Sequence, residues 1–222
     1  MNISLFYKEW IKTRHVILLS VALCIVALAY TYIVTSKDIR INGANILLSN
    51  IVLMGTEATT IMSYMPLVIG LGIALTQFIP EMVDKRLKLT LLLPITEKSI
   101  IATMLGFGTI VTGTLYIVST IVLGVEMSGL FPSELTCRIV LTNIPYMLTG
   151  LMTYYITSWI CLEPTWKQRT KNGIIAVLLI GIFMIKCKGG AATPMIPIQV
   201  IITALTASLP FYSIARFKDG AL

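Results

Sequence analysis

Apolar runs of bilayer length recur along this chain, and they decide its fold class before any motif is considered. They fall at about 15–35, 61–79, 100–124, 137–161, 173–187 and 195–214. About twenty apolar residues in an α-helix cross the ~30 Å hydrocarbon layer. In lipid only helices and closed barrels satisfy their own backbone groups. The runs are continuous rather than alternating, so helices are expected. Only 12% of the 222 residues are charged, against about 25% in soluble domains, and mean hydropathy is +0.88. The expectation is an all-α polytopic membrane protein, a single transmembrane domain over 1–222 with six spans.

A further helix is expected ahead of the first span. Ile3, Phe6, Tyr7, Trp10 and Ile11 share one helical face, and Ser4, Lys8, Glu9 and Lys12 share the other. That pattern predicts an interfacial (elbow) helix over 1–14, with Trp10 at headgroup depth. Ala27-Leu28-Ala29 resembles a signal-peptide cleavage site. The preceding region is long, amphipathic and contains Glu9, so the first span is read as retained.

Orientation follows from the basic residues. Six spans put both termini, the 80–99 segment and the 162–172 loop on one side, with twelve of the 17 Lys and Arg. The other side holds Lys37, Arg40, Arg138, Lys186 and Lys188. Basic residues mark the cytoplasmic side, so an N-in/C-in arrangement in a bacterial-type inner (cytoplasmic) membrane is expected. The net charge of +7 is explained the same way. The basic residues sit at span ends rather than on one soluble face, which argues against nucleic-acid binding.

Little in the chain points to catalysis. The one histidine, His15, sits at the mouth of the first span, without a nucleophile beside it. No H-E-x-x-H and no G-x-x-x-x-G-K-[ST] occurs. Cys24, Cys137, Cys161 and Cys187 form no C-x-x-C or Cys/His set for zinc. Cys137 and Cys187 both fall near the outer face, which leaves a bridge between them open. No firmly assigned span carries an acid near its middle, as an ion-coupled carrier would need. No catalytic residue, metal site or cofactor of its own is therefore expected.

The one long charged island is P-E-M-V-D-K-R-L-K-L-T-L-L-L-P-I-T-E-K-S, from Pro80 to Ser99. Proline breaks a helix interior and disfavours helix at the residue before it. Glu81 to about Leu93 is therefore expected as a separate amphipathic helix. Val83, Leu87 and Leu91 recur every four residues, with Asp84, Lys85 and Lys88 off that stripe. The first glycine-rich span face, with Gly70, Gly72 and Ala74, and the second, with Gly106, Gly108 and Gly113, predict close helix packing. Thr96 is placed to cap the next helix. Tyr154, Tyr155 and Trp159 are read as an aromatic belt, and Gln77 as reaching the interface.

Set after an interfacial helix and two spans, Glu81, Arg86, Leu87, Leu89, Leu91, Leu93, Pro94, Ile95, Thr96 and Ile100 resemble the intracellular loop of ABC-2 family transporter permeases. The resemblance in topology covers the whole chain; the motif covers about twenty residues. Family members often carry large outer elements between the fifth and sixth spans, where this chain has only Gly189–Pro197. The resemblance implies a coupling helix at about 81–93 that docks on a separate ABC ATPase subunit, which holds ATP and Mg. Glu81, Asp84, Lys85, Arg86 and Lys88 would make polar contacts, and Leu87 and Leu91 would pack into the ATPase cleft. It also implies pairing with a second permease copy or a related permease, contact with membrane lipid, and export. Three alternatives stay open. One is a substrate-binding membrane subunit of an energy-coupling-factor importer. Another is a small membrane scaffold or immunity protein, and the third a membrane enzyme.

Overall fold

A computed structural model describes residues 2–43, 60–83, 96–185 and 193–218. Every regular element among them is helical: α1 (Asn2–Asn42), α2 (Thr60–Met82), α3 (Glu97–Ser128), α4 (Ser133–Leu162), α5 (Trp166–Phe183) and α6 (Ile196–Lys218), the last preceded by a 3-10 turn at Thr193–Met195. Four described segments are long and apolar enough to cross a membrane: Ser4–Ile41, Thr60–Met82, Lys98–Ser128 and Ile196–Ile214.

The helices are longer than their apolar runs. α1 is one element of 41 residues, about 60 Å at 1.5 Å per residue and twice the hydrocarbon thickness. The expected boundary between an interfacial helix at 1–14 and a span at 15–35 does not exist. No glycine or proline interrupts 2–42. The helix ends at Gly43, whose φ of +77° suits a residue without a Cβ, and whose N–H donates to the Ile39 carbonyl at 3.1 Å. α3 likewise runs on through Glu126, which the sequence placed in a connection, and turns only at Gly129.

α4 is the hub. It packs against α2, α3, α5 and α6, while α1 lies against α2 and α3. Its own carbonyl and hydroxyl chemistry faces protein. Asn143, Thr149, Thr153 and Ser158 are buried, and each donates to a carbonyl one turn back. Enclosed on so many sides, α4 does not have to be apolar to sit among the others. Pro145 lies inside it without ending it. Gln199 of α6 donates to the Pro145 carbonyl at 2.7 Å and to Thr149 Oγ1 at 2.8 Å.

The outward faces of the outer helices are strongly apolar, and polar side chains share their buried faces with apolar ones. On α1 the buried stripe includes Ser20, Cys24, Thr31 and Thr35, whereas Leu18, Leu19, Ile25, Val26 and Ile33 face outward. On α3, Thr103, Thr112 and Ser119 point in, and Ile110, Ile117, Val118 and Ile121 point out. α6 repeats the arrangement with Gln199, Thr203 and Thr206 inside and Ile198, Ile201 and Leu205 outside. A surface this apolar is unfavourable in water, where patches of this kind drive association. Against hydrocarbon it is the stable arrangement.

Two helix crossings depend on glycine. Gly70 of α2 meets Gly150 of α4 so closely that a Cβ on either would strike backbone. A Cβ on Gly108 of α3 would strike the Tyr154 ring. The expected close approach at Gly70 and Gly108 is therefore present. Gly106 and Gly113 have no neighbour within 4 Å of a Cβ position, and Gly72 has only ordinary contact with Val16.

Candidate functional site

The polar chemistry gathers at one end of the bundle, where α1 starts, α2 and α4 finish, α5 starts and α6 finishes. Glu81 stands one residue after Pro80 and was expected to begin a separate helix. It instead belongs to the last turn of α2, which continues through Pro80 to Met82. Proline removes one helical hydrogen bond there, but tertiary contacts hold the turn. Glu81 is buried, and its Oε1 lies 2.9 Å from both Lys8 Nζ and Lys12 Nζ of α1. Lys12 Nζ also reaches Glu9 Oε1 at 3.0 Å, and Glu9 is buried as well. The polar side of the first turns of α1 thus faces protein. Tyr7, Trp10 and Ile11 face out, and Phe6 meets Phe107 of α3 edge-to-face at 5.7 Å.

A further buried carboxylate, Glu163, is held in a similar way. Glu163 follows the last turn of α4 in extended conformation. Arg216 of α6 lies 3.0 Å from its Oε1, and the Ser213 hydroxyl donates to its Oε2. Arg169 of α5 donates to the Glu163 carbonyl at 2.7 Å and the Cys161 carbonyl at 3.1 Å. That satisfies backbone acceptors that a helix C-terminus leaves over. Its guanidinium also lies over the Trp166 ring. At the same end a half-open groove of about 480 Å³ is lined by Ile79, Met82, Val83, Ile160, Trp166 and Arg169 among others.

One layer deeper, Gln77 joins three helices. It is fully buried rather than at the interface. Its Nε2 donates to the Met104 carbonyl at 2.7 Å, and its Oε1 accepts from the Tyr154 hydroxyl at 2.9 Å. Tyr154 is fully buried and is no part of an aromatic belt. Tyr155 shares a 2.9 Å hydrogen bond with Thr109. Tyr154→Phe is expected to strand the Gln77 oxygen and lower stability by about 1–3 kcal/mol. The thermal midpoint of the purified protein checks this, and Gln77→Leu in the same chain should recover part of the loss.

Of the residues expected to dock a partner, Glu81 is the one within the described residues, and it is engaged with α1. Asp84, Lys85, Arg86, Leu87, Lys88 and Leu91 lie outside them, as does Cys187. Thr96 occupies the cap position of α3, with no side-chain capping bond. Cys24, Cys137 and Cys161 are free thiols. Lys8, Lys12, Glu163, Ser213 and Arg216 were not singled out from sequence. The available signal was opposite charge at span ends assigned to the same side: Lys8 and Lys12 with Glu81, Glu163 with Arg216. Compared with known proteins, the chain matches no family model, no curated protein and no solved structure.

Proposed function

We propose that this chain is the membrane-spanning permease subunit of an ABC exporter, with ATP hydrolysis supplied by a separate subunit docked on the segment 81–93. The observation that carries the reading is the clasp of Lys8 and Lys12 on Glu81. The segment leaves α2 at the residue that α1 holds. A displacement imposed on it from the cytoplasm is passed to α1 and α2 together, and through Gly70–Gly150 to the hub helix. That is what a lever needs: a rigid joint where force enters and close-packed helices beyond it.

In this reading the bundle has six spans with both termini inside, in a bacterial-type inner membrane. α4 and α5 supply the two spans that composition alone leaves out. α4 is polar because it is enclosed, and α5 turns Ile174, Ile175, Val177, Leu178 and Ile182 outward while burying Asn172 and Ala176. The basic residues near the clasped carboxylates match cytoplasmic placement. Two permease subunits, identical or related, pair in the membrane, and the coupling segments 81–93 move with the ATPases as ATP and Mg bind there. Asp84, Lys85, Arg86 and Lys88 make the polar docking contacts, and Leu87 and Leu91 fill the cleft. Glu81 secures the lever to α1.

Co-purification tests the docking. A P-loop ATPase should accompany the chain from native membranes. Arg86→Glu combined with Leu87→Asp should abolish its recovery while leaving the chain folded in the membrane. An ATPase retained at wild-type level by that double variant would overturn the assignment.

A further inference from the structure

At the end of α3 away from the clasp, a groove of about 400 Å³ opens between α1 and α3. Val21, Ile25 and Leu28 form one wall, Val118 and Val122 the other, and Glu126 stands at its end. Leu28 is buried at the floor, while Ile25 and Val118 are exposed along the rim. From Thr114 to Glu126 the groove follows α3 for about 18 Å at 1.5 Å per residue. Counted from Ile100, the ~30 Å hydrocarbon layer ends near Thr120. Glu126 therefore lies about 9 Å past it, at headgroup depth, and the groove walls run from it toward the membrane interior.

The other polar groups in the groove are already engaged. Thr114 donates to the Val111 carbonyl, Ser119 to the Leu115 carbonyl, and the Cys24 thiol to Met65. Glu126 differs from them. The residue as a whole is only partly buried, but its Oε2 is turned away from solvent without a hydrogen-bond partner, and no ion pair among the described residues includes it. A carboxylate oxygen removed from water without a donor is costly. A plain hydrocarbon chain in the groove would leave that cost in place, whereas a protonated amine would remove it with a charge-assisted hydrogen bond.

We propose that this groove binds a lipophilic amine, with its hydrocarbon tail between α1 and α3 and its ammonium on Glu126. The site is open to the membrane along its length, so such a ligand enters sideways from the bilayer with its head already at the right depth. The assignment stands on the groove and its carboxylate, and does not depend on an ATPase partner.

Binding of tritiated dodecylamine and dodecanol to the full-length protein in phosphatidylcholine nanodiscs, measured against empty discs, tests it. The amine should bind saturably and about tenfold more tightly than the alcohol. Glu126→Gln should reduce the amine to the alcohol's affinity. Val118→Trp, which fills the groove, should remove saturable binding of both. Equal affinities of amine and alcohol in the wild type, or amine binding indifferent to Glu126→Gln, would overturn the proposal. Loss of amine binding on changing the discs to phosphatidylethanolamine would support the ammonium site and make the amine head of a membrane lipid its occupant; binding unchanged in those discs would support a free lipophilic amine instead.

Discussion

Gly150→Ala is expected to push α2 and α4 apart and to lower stability by about 3 kcal/mol, the upper end of overpacking costs. The added Cβ would lie 2.6 Å from Pro66 Cβ and 2.7 Å from Pro66 O. A flexible side chain could rotate away from such a contact; a proline ring and a backbone carbonyl in the middle of a helix cannot. The Pro66 carbonyl is already committed, since the buried Tyr116 hydroxyl donates to it at 2.7 Å. Moving α2 outward would stretch that bond and also disturb Gln77, about three turns further along. At roughly 2–4 °C per kcal/mol for a chain of this size, the thermal midpoint in detergent should fall by about 6–12 °C. Gly106→Ala is the control. A Cβ there meets nothing within 4 Å, and alanine's better helix propensity should leave the midpoint unchanged or raise it. Equal effects of the two substitutions would mean that α2 and α4 do not cross at these glycines.

That crossing was legible in the sequence in part. Small residues in an apolar run signal close approach, and Gly70 and Gly108 fulfil it. Nothing in the local pattern separates them from Gly106 and Gly113, because what differs is the presence of a partner helix. The same limit explains Pro80. Local propensity says that proline ends the helix. Whether the turn persists depends on Lys8 and Lys12, about seventy positions earlier in the chain. α1 shows the converse: a change in amphipathic character near residue 14 was read as a boundary, but a helix without glycine or proline does not break because its surroundings change.

The burial of polar side chains on these helices also lies beyond what the pattern of a single helix reveals. Apolar residues on α1, α3 and α6 outnumber polar ones so heavily that either face qualifies as lipid-facing. The polar minority helps to decide which face is buried, because Ser20, Thr112 and Gln199 all lie on the inner faces. The helical class was legible throughout, since it follows from run length and backbone satisfaction alone. The docking residues are a different matter: their assignment rests on resemblance, and Glu81 shows why residue types alone do not place a role. It carries the charge expected of a docking surface, yet it is turned into the protein.

Lys12→Met is the substitution expected to separate attachment of the ATPase from transmission. Lys12 bridges two buried carboxylates on different helices, Glu9 and Glu81, and its side chain is only 16% exposed. Removing one partner of a buried ion pair typically costs about 3–5 kcal/mol, because the remaining charge has lost its compensation. Lys8 remains beside Glu81, so a loss near 3 kcal/mol is expected, visible as a lower thermal midpoint. Lys8→Met should cost no more than about 1 kcal/mol, because Lys8 is 43% exposed and solvent screens its pairing. Lys12→Arg retains the charge and should recover most of the stability. The residues proposed to dock, 84–91, are untouched by any of these changes, so under the proposed function the ATPase should still co-purify. With the clasp loosened, the segment 81–93 would move without carrying α1 along. ATP hydrolysis by the complex in nanodiscs should then fall toward the level of the isolated ATPase in Lys12→Met and remain near wild type in Lys8→Met and Lys12→Arg. A Lys12→Met complex that hydrolyses ATP at the wild-type rate would show that force does not pass through Glu81. The lever would then have to be sought where α4 and α6 meet at Glu163 and Arg216.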